Sequence, residues 1–163
     1  MKSLLILRHG KSSWKHPELP DHDRPLNKRG KRDAPRIGKL LRDEKIIPEI
    51  IISSTAERAR KTAEAVAHSS AYGGKIILNK SLYAAGPEAY IEALHGILNE
   101  YSMAMIVGHN PAIEELVELL TGETHLMPTC TLASIKLNVD KWLELNNKSK
   151  GKLIDIWLPR DLR

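Results

Sequence analysis

The chain predicts a three-layer α/β/α sandwich built on a mostly parallel central sheet. Three observations carry that prediction. Short continuous apolar runs lie within residues 4–7, 49–53 and 103–107, the pattern of strands buried on both faces. Stretches with apolar residues at helical spacing lie between them, and strands alternating with helices imply parallel pairing with helices on both faces. The length of 163 residues, with 42% hydrophobic and 28% charged residues, fits one domain over residues 1–163.

The elements follow in order. Residues 4–7 form the first strand. Residues 11–26 are polar and contain Pro17, Pro20 and Pro25, so they read as a loop. A helix is expected over residues 27–43 with Ile37, Leu40 and Leu41 facing inward, and Pro35 inside it marks a kink or a later start. Residues 49–53 read as a second strand, and residues 57–68 as a helix burying Ala59, Thr62, Ala63 and Val66. Gly73 and Gly74 break the chain before a third strand at 75–78. Pro87 suits a helix start, and that helix is expected to reach residue 99. After the strand at 103–107, residues 108–111 make a tight turn, with Asn110 capping the next helix and Pro111 at its first position. Residues 131–139 and 153–158 read as the last strands, joined by a hairpin-like loop at 146–151. With no helix between them, they predict an antiparallel pair.

Phe is absent, so the core must be aliphatic with a few Trp and Tyr. The net charge is +5 and the isoelectric point about 9.3, which suits either a solvated basic surface or an anionic ligand. The basic residues are dispersed, and stacked aromatics and any nucleic-acid-binding module are missing, so no nucleic-acid partner is expected. The densest basic stretch is residues 27–32. Cys130 is the only cysteine, which excludes an intramolecular disulfide and favours a reducing compartment. The opening apolar run is too short for a signal peptide, and no run reaches membrane-spanning length. A cytoplasmic monomer without membrane contact is the expectation.

Ligands of open α/β sheets bind beyond the carboxyl ends of the strands. Arg8-His9-Gly10 follows the first strand, Ser53-Ser54 with Arg58 one helical turn on follows the second, and Gly108-His109-Asn110 follows the fourth. Each residue alone has an ordinary structural reading. Together they bring two histidines and two arginines toward one sheet edge without a carboxylate. That set suits a phosphoryl dianion. It makes a poor metal site, and the remaining histidines, His16, His22, His68, His95 and His125, read as structural or surface.

The stretch from Leu7 to Trp14 (LRHGKSSW) resembles the signature loop of the histidine phosphatase superfamily, which includes the phosphoglycerate mutases. Further motifs resemble the small SixA-type phosphohistidine phosphatases. These are Asp23-Arg24-Pro25-Leu26 with Gly30, and Ser53 through Ala59 with Thr62-Ala63, where Thr55 stands in place of a common Pro. Leu82 through Gly86, Val107 through Pro111, Leu120-Thr121-Gly122 and Met127-Pro128-Thr129 complete the set. The motifs occur in the family's order over nearly the whole chain.

The resemblance implies a phosphoglycerate mutase-like fold and a phosphatase acting through a covalent phosphohistidine on His9. Arg8, Arg58 and His109 would bind and stabilise the phosphoryl oxygens, with Ser12 and Asn110 beside them as further substrate contacts. Caps are the simpler reading of Ser13 and Asn110. No metal or cofactor is expected, since the arginines supply positive charge. In the larger mutases a Glu after the third strand protonates the leaving group, and no carboxylate occupies that slot here. Glu88 comes late, and Asp21 and Asp23 lie in another loop. The missing acid fits a P–N substrate, because imidazole leaves more readily than an alkoxide. The expected partner is thus a phosphorylated protein bearing phosphohistidine, with residues 28–32 docking an acidic patch on it. Alternatives are a phosphomonoesterase acting on a small phosphorylated metabolite, favoured by a carboxylate near the phosphate, and a non-catalytic phosphate-binding regulator.

Overall fold

Leu4, Leu5, Ile6 and Leu7 have no exposed surface, and that requirement puts β1 (Lys2–Arg8) in the interior of the sheet. The computed structural model describes residues 1–148 and 150–162. The other strands are β2 (Ile50–Ser53), β3 (Ile76–Leu78), β4 (Met103–Gly108), β5 (Leu132–Leu137) and β6 (Gly151–Trp157). The helices are α1 (Lys28–Asp43), α2 (Glu57–Ser70), α3 (Pro87–His95) and α4 (Ala112–Thr121).

The six-stranded sheet has the order β3-β2-β4-β1-β5-β6. The ladders β3-β2, β2-β4 and β4-β1 are parallel. Strand β5 pairs antiparallel with both β1 and β6, so it alone runs against the others. The expected antiparallel pair is present, and β5 adds a second one against β1.

Alternation along β1 splits the core into two layers. Leu4 and Ile6 pack with Tyr90 and Leu94 of α3 and with Ile113, Leu116 and Val117 of α4. Leu5 and Leu7 pack with Ile37 and Leu41 of α1 and with Ala59, Ala63 and Val66 of α2. Each such aliphatic side chain contributes about 1.5–3 kcal/mol relative to an exposed one. Without Phe, Trp142 and Tyr90 are the largest fully buried side chains. Their polar ends are satisfied: Trp142 Nε1 donates to Tyr101 O at 2.8 Å, and the Tyr90 hydroxyl donates to Leu82 O at 2.9 Å.

Several boundaries differ from the sequence expectation. Helix α1 runs unbroken through Pro35, which lies on its exposed face. Helix α3 ends at His95 with Gly96 as its cap, four residues short of the expected end. Helix α4 begins at Ala112, after Pro111 rather than at it. Asn110 still caps it, since its Oδ1 accepts from Glu114 N at 3.2 Å. A short 3-10 turn at Trp142–Glu144 precedes the hairpin-like loop, and Ser149 of that loop lies outside the described residues.

Candidate active site

Strands β1 and β4 lie side by side with Arg8 opposite Gly108. The chain leaves β1 for α1 on one face of the sheet and leaves β4 for α4 on the other. The sheet therefore opens a crevice at the ends of these two strands, the usual binding position in such folds.

His9 sits at the floor of this crevice with 7% of its surface exposed. Its backbone is held from three directions. His9 N donates to Gly108 O at 3.0 Å, and Cys130 N reaches Arg8 O at 3.1 Å and His9 O at 2.9 Å. Gly10 N donates to Thr62 Oγ1 at 2.9 Å, while the Thr62 hydroxyl donates to Arg58 O at 2.6 Å. The loop also passes close to the start of α1, where a Cβ on Gly30 would lie 2.4 Å from Lys11 O. Only glycine permits that approach.

The His9 ring has a defined tautomer. Nδ1 lies 2.7 Å from Gly10 O. A carbonyl only accepts, so Nδ1 carries the hydrogen and Nε2 keeps its lone pair. Burial pushes the His9 pKa down to about 3, with His109, Arg58 and Arg8 adding to the effect. The ring is thus neutral and nucleophilic over the whole physiological range.

The cleft above His9 has a volume of about 250 Å³ and is lined by Arg8, Arg24, Arg58 and His109, with Lys11, Ser12, Trp14, Asn110 and Thr129 around them. Arg8 Nη1 donates to Met127 O at 3.1 Å, and burial lowers the Arg8 pKa from its ordinary value. His109 N donates to the Tyr90 hydroxyl at 3.0 Å, and His109 Nε2 lies 2.8 Å from Ser54 Oγ. A Cβ on Gly108 would lie 2.1 Å from that Tyr90 oxygen, so the strand end needs glycine to meet the tyrosine. Burial, then Arg58, lowers the His109 pKa to about 4. Among the described residues, Arg8 Nε and His109 Nδ1 are buried without a hydrogen-bond partner. Orphaned polar atoms are uncommon in folded proteins, and these two belong to cleft-lining residues.

The structure brings Arg8, His9, Ser12, Arg58, His109 and Asn110 to one cleft. The Ser12 hydroxyl accepts from Arg24 Nη2 at 2.6 Å. The Asn110 amide donates to Glu114 Oε2 at 2.9 Å and to Met127 O at 3.0 Å, which turns its donors into the protein. Ser13 Oγ accepts from Lys15 N at 3.1 Å as a turn cap.

Sequence set Asp21 apart in another loop, and the structure bonds it to two of the cleft's arginines. Asp21, in a 3-10 turn at Asp21–Asp23, reaches the cleft and binds its arginines. Its Oδ1 accepts from Arg24 Nη1 at 3.0 Å, and its Oδ2 accepts from Arg58 Nη2 at 3.0 Å and from the Tyr83 hydroxyl at 2.6 Å. Arg58 Nη1 also donates to Asp21 O at 2.8 Å. These bonds, the one from Tyr83 foremost, hold the Asp21 carboxyl well below the usual carboxylate range. Asp21 is therefore an anion at neutral pH and has no proton to give. Arg24 is also buried here, its guanidinium 3.3 Å from the centroid of the exposed Trp14 ring. His22, read from sequence as structural or surface, bonds Thr55 Oγ1 at 2.9 Å and packs on Tyr83 with ring centroids 4.8 Å apart.

This fold and site define a phosphoryl-handling α/β enzyme. Residues 4–82 match the histidine phosphatase superfamily, branch 1. An uncharacterized protein of Mycobacterium leprae is 30% identical over 167 residues, covering 94% of this chain and 100% of that protein. An uncharacterized chloroplastic protein of Arabidopsis thaliana is 33% identical over 154 residues, 88% of this chain and 70% of that protein. A crystal structure from Agrobacterium tumefaciens, assigned as the phosphohistidine phosphatase SixA, superposes with a TM-score of 0.83 at 31% identity, over 97% of this chain and 98% of that one. The chain belongs to the histidine phosphatase superfamily, with a phosphoglycerate mutase-like fold, and is a phosphatase.

Proposed function

We propose that the protein is a SixA-type phosphatase that removes the phosphoryl group from phosphohistidine on a partner protein, through a covalent phosphohistidine on His9. The observation that carries this reading is the His9–Gly10 hydrogen bond, which leaves Nε2 unprotonated beneath a cleft ringed by cations. Nε2 attacks phosphorus in line, the substrate nitrogen departs, and water then cleaves the P–N bond to His9. Arg8, Arg58 and His109 stabilise the equatorial oxygens with donors already fixed in place. Ser54 donating to His109 Nε2 leaves the hydrogen on Nδ1, where it serves a phosphoryl oxygen. Ser12 keeps Arg24 against the cleft and offers its own hydroxyl, and Asn110 holds the wall beside Arg8. No metal or cofactor takes part in this scheme.

A protein substrate is supported by the surface around the cleft. Arg29 and Arg32 at the start of α1 join Arg160 and Thr129 around a second cleft of about 130 Å³. Thr129 lines the catalytic cleft as well. Among the described residues Lys28, Lys31 and Arg160 form no ion pair, whereas Arg60 on α2 pairs with both Glu57 and Glu64. Arg29 and Arg32 share Asp33, so the free charge that suits an acidic face on the partner is that of Lys28, Lys31 and Arg160.

Phosphate release from a phosphohistidine-bearing domain, beside release from a small phosphomonoester, tests the reading. Fast release from the domain that falls by about 10³-fold or more in His9→Ala is expected. Preference for the small ester would move the assignment to a metabolite phosphatase, and no release from either would leave a phosphate-binding regulator.

A further inference from the structure

We propose that Asp21 sets the leaving-group preference of the cleft, holding the imidazole of a phosphohistidine substrate in its protonated form so that it departs as neutral imidazole. The inference rests on the phosphohistidine reading and adds a role for a residue outside the catalytic motifs.

The position follows from a line of groups leading out of the cleft. The His9 and His109 rings are 5.1 Å apart between centroids, and those of His109 and Tyr83 are 5.5 Å apart. Tyr83 then hydrogen-bonds Asp21. Exposure rises along this line, from 7% at His9 and 8% at His109 to 51% for the Asp21 side chain. His9 lies at the floor, and Asp21 stands behind Arg24 and Arg58, two of the residues that line the cleft. Asp21 is fixed there by Arg24, Arg58 and Tyr83. A carboxylate oxygen can accept two bonds, and Oδ1 accepts only from Arg24 among the described residues. Acceptor capacity for one more N–H remains.

The chemistry gives that acceptor a use. When the P–N bond of the substrate breaks, its electron pair goes to the leaving nitrogen while His9 Nε2 forms the new bond to phosphorus. If the other ring nitrogen of the substrate carries a proton, the product is neutral imidazole and no proton has to move. If it does not, the product is imidazolate, a poor leaving group. An anion beside the cleft favours the protonated ring. The same anion cannot protonate an ester oxygen, and it repels small metabolites that carry further carboxylates or phosphates.

Other charges face Asp21 and must be separated from it. Arg24 and Arg58 stay cationic, and the hydrogen bond to Asp21 raises the Tyr83 pKa from its usual value. His22 lies beside Tyr83, with its Nδ1 3.5 Å from Asp23 Oδ1.

The test is kcat against pH for a phosphohistidine-bearing domain and for p-nitrophenyl phosphate, whose leaving group needs no proton. Wild type, Asp21→Asn, Asp21→Glu and His22→Gln are compared. Asp21→Asn is expected to move the alkaline limb for the phosphohistidine substrate down by about one pH unit, roughly a tenfold loss above it, with the limb for the ester unmoved. Asp21→Glu keeps the wild-type limb, and so does His22→Gln. Equal loss on both substrates with no shift would overturn the inference alone, reducing Asp21 to a brace for the arginines. Wild type that cleaves the ester but not the phosphohistidine domain would overturn the phosphohistidine reading with it.

Discussion

Two buried neutral histidines make the site sensitive to acid. His9 and His109 have folded pKa values of about 3 and about 4, against about 6.5 in an unfolded chain. Between those values the unfolded state binds more protons than the folded one, so stability rises with pH there and falls as pH drops below about 6.5. Each histidine contributes up to about 1.4 kcal/mol per pH unit in that window. Urea midpoints at pH 7 and pH 5 should therefore differ in wild type, and the difference should shrink in His109→Gln. An unchanged difference would mean that His109 is protonated in the folded state. The gathering of His9, Arg8, Arg58 and His109 at one cleft was legible because each follows an apolar run or lies in the first turn of the next helix. Asp21 was not. Its neighbours Arg58 and Tyr83 lie 37 and 62 residues away, and a proline-rich loop has no periodicity from which to infer where it folds back.

At the scale of elements, the loop that carries His9 is set by contacts with two helices. The first turn of α1 approaches it at Gly30, capped by Asn27 Oδ1 accepting from Gly30 N at 2.9 Å. Gly30→Ala places a methyl on the Lys11 carbonyl, so the loop must shift. Activity should fall at least tenfold, since about 1 Å of misplacement can cost about 10². Kinetics beside a thermal melt would check this, and full activity would show that the loop adapts freely. From α2, Thr62 bonds both Gly10 N and Arg58 O. Thr62→Val leaves the Gly10 amide unpaired in a buried place and should destabilise the fold by about 1–3 kcal/mol in urea titration. Sequence placed Thr62 on the inner face of α2 by spacing, but spacing does not tell a packing threonine from one that orients a loop. Helix α3 was overextended for a related reason. Its apolar spacing runs on to Ile97, which is buried, while Gly96 ends the helix before it.

For the whole molecule, charge is distributed unevenly about the cleft. Arg29 and Arg32 belong to the surface that reaches the cleft through Thr129, and Lys28 lines a neighbouring groove beside Arg29. Neutralising all three should lower kcat/KM for a phosphoprotein by about tenfold or more and make it less sensitive to salt, while leaving a small ester unaffected. Equal loss on both substrates would sink the docking role. The layer architecture was legible from alternating apolar runs and helical spacing. The strand order was not, because burial on both faces says that β1 is interior without saying which strands flank it. That β4 and β5 flank it depends on crossovers that only the folded chain displays.

The placement of β1 bears on how the protein wears out. Its backbone is paired along both edges, by β4 on one side and β5 on the other. Amide hydrogens there exchange with solvent only when the entire molecule opens, whereas the edge strands β3 and β6 can fray locally. His9, the proposed nucleophile, is thus attached to the last segment to let go. Inactivation on heating should follow the global transition, with no earlier stage in which a folded protein has already lost its chemistry.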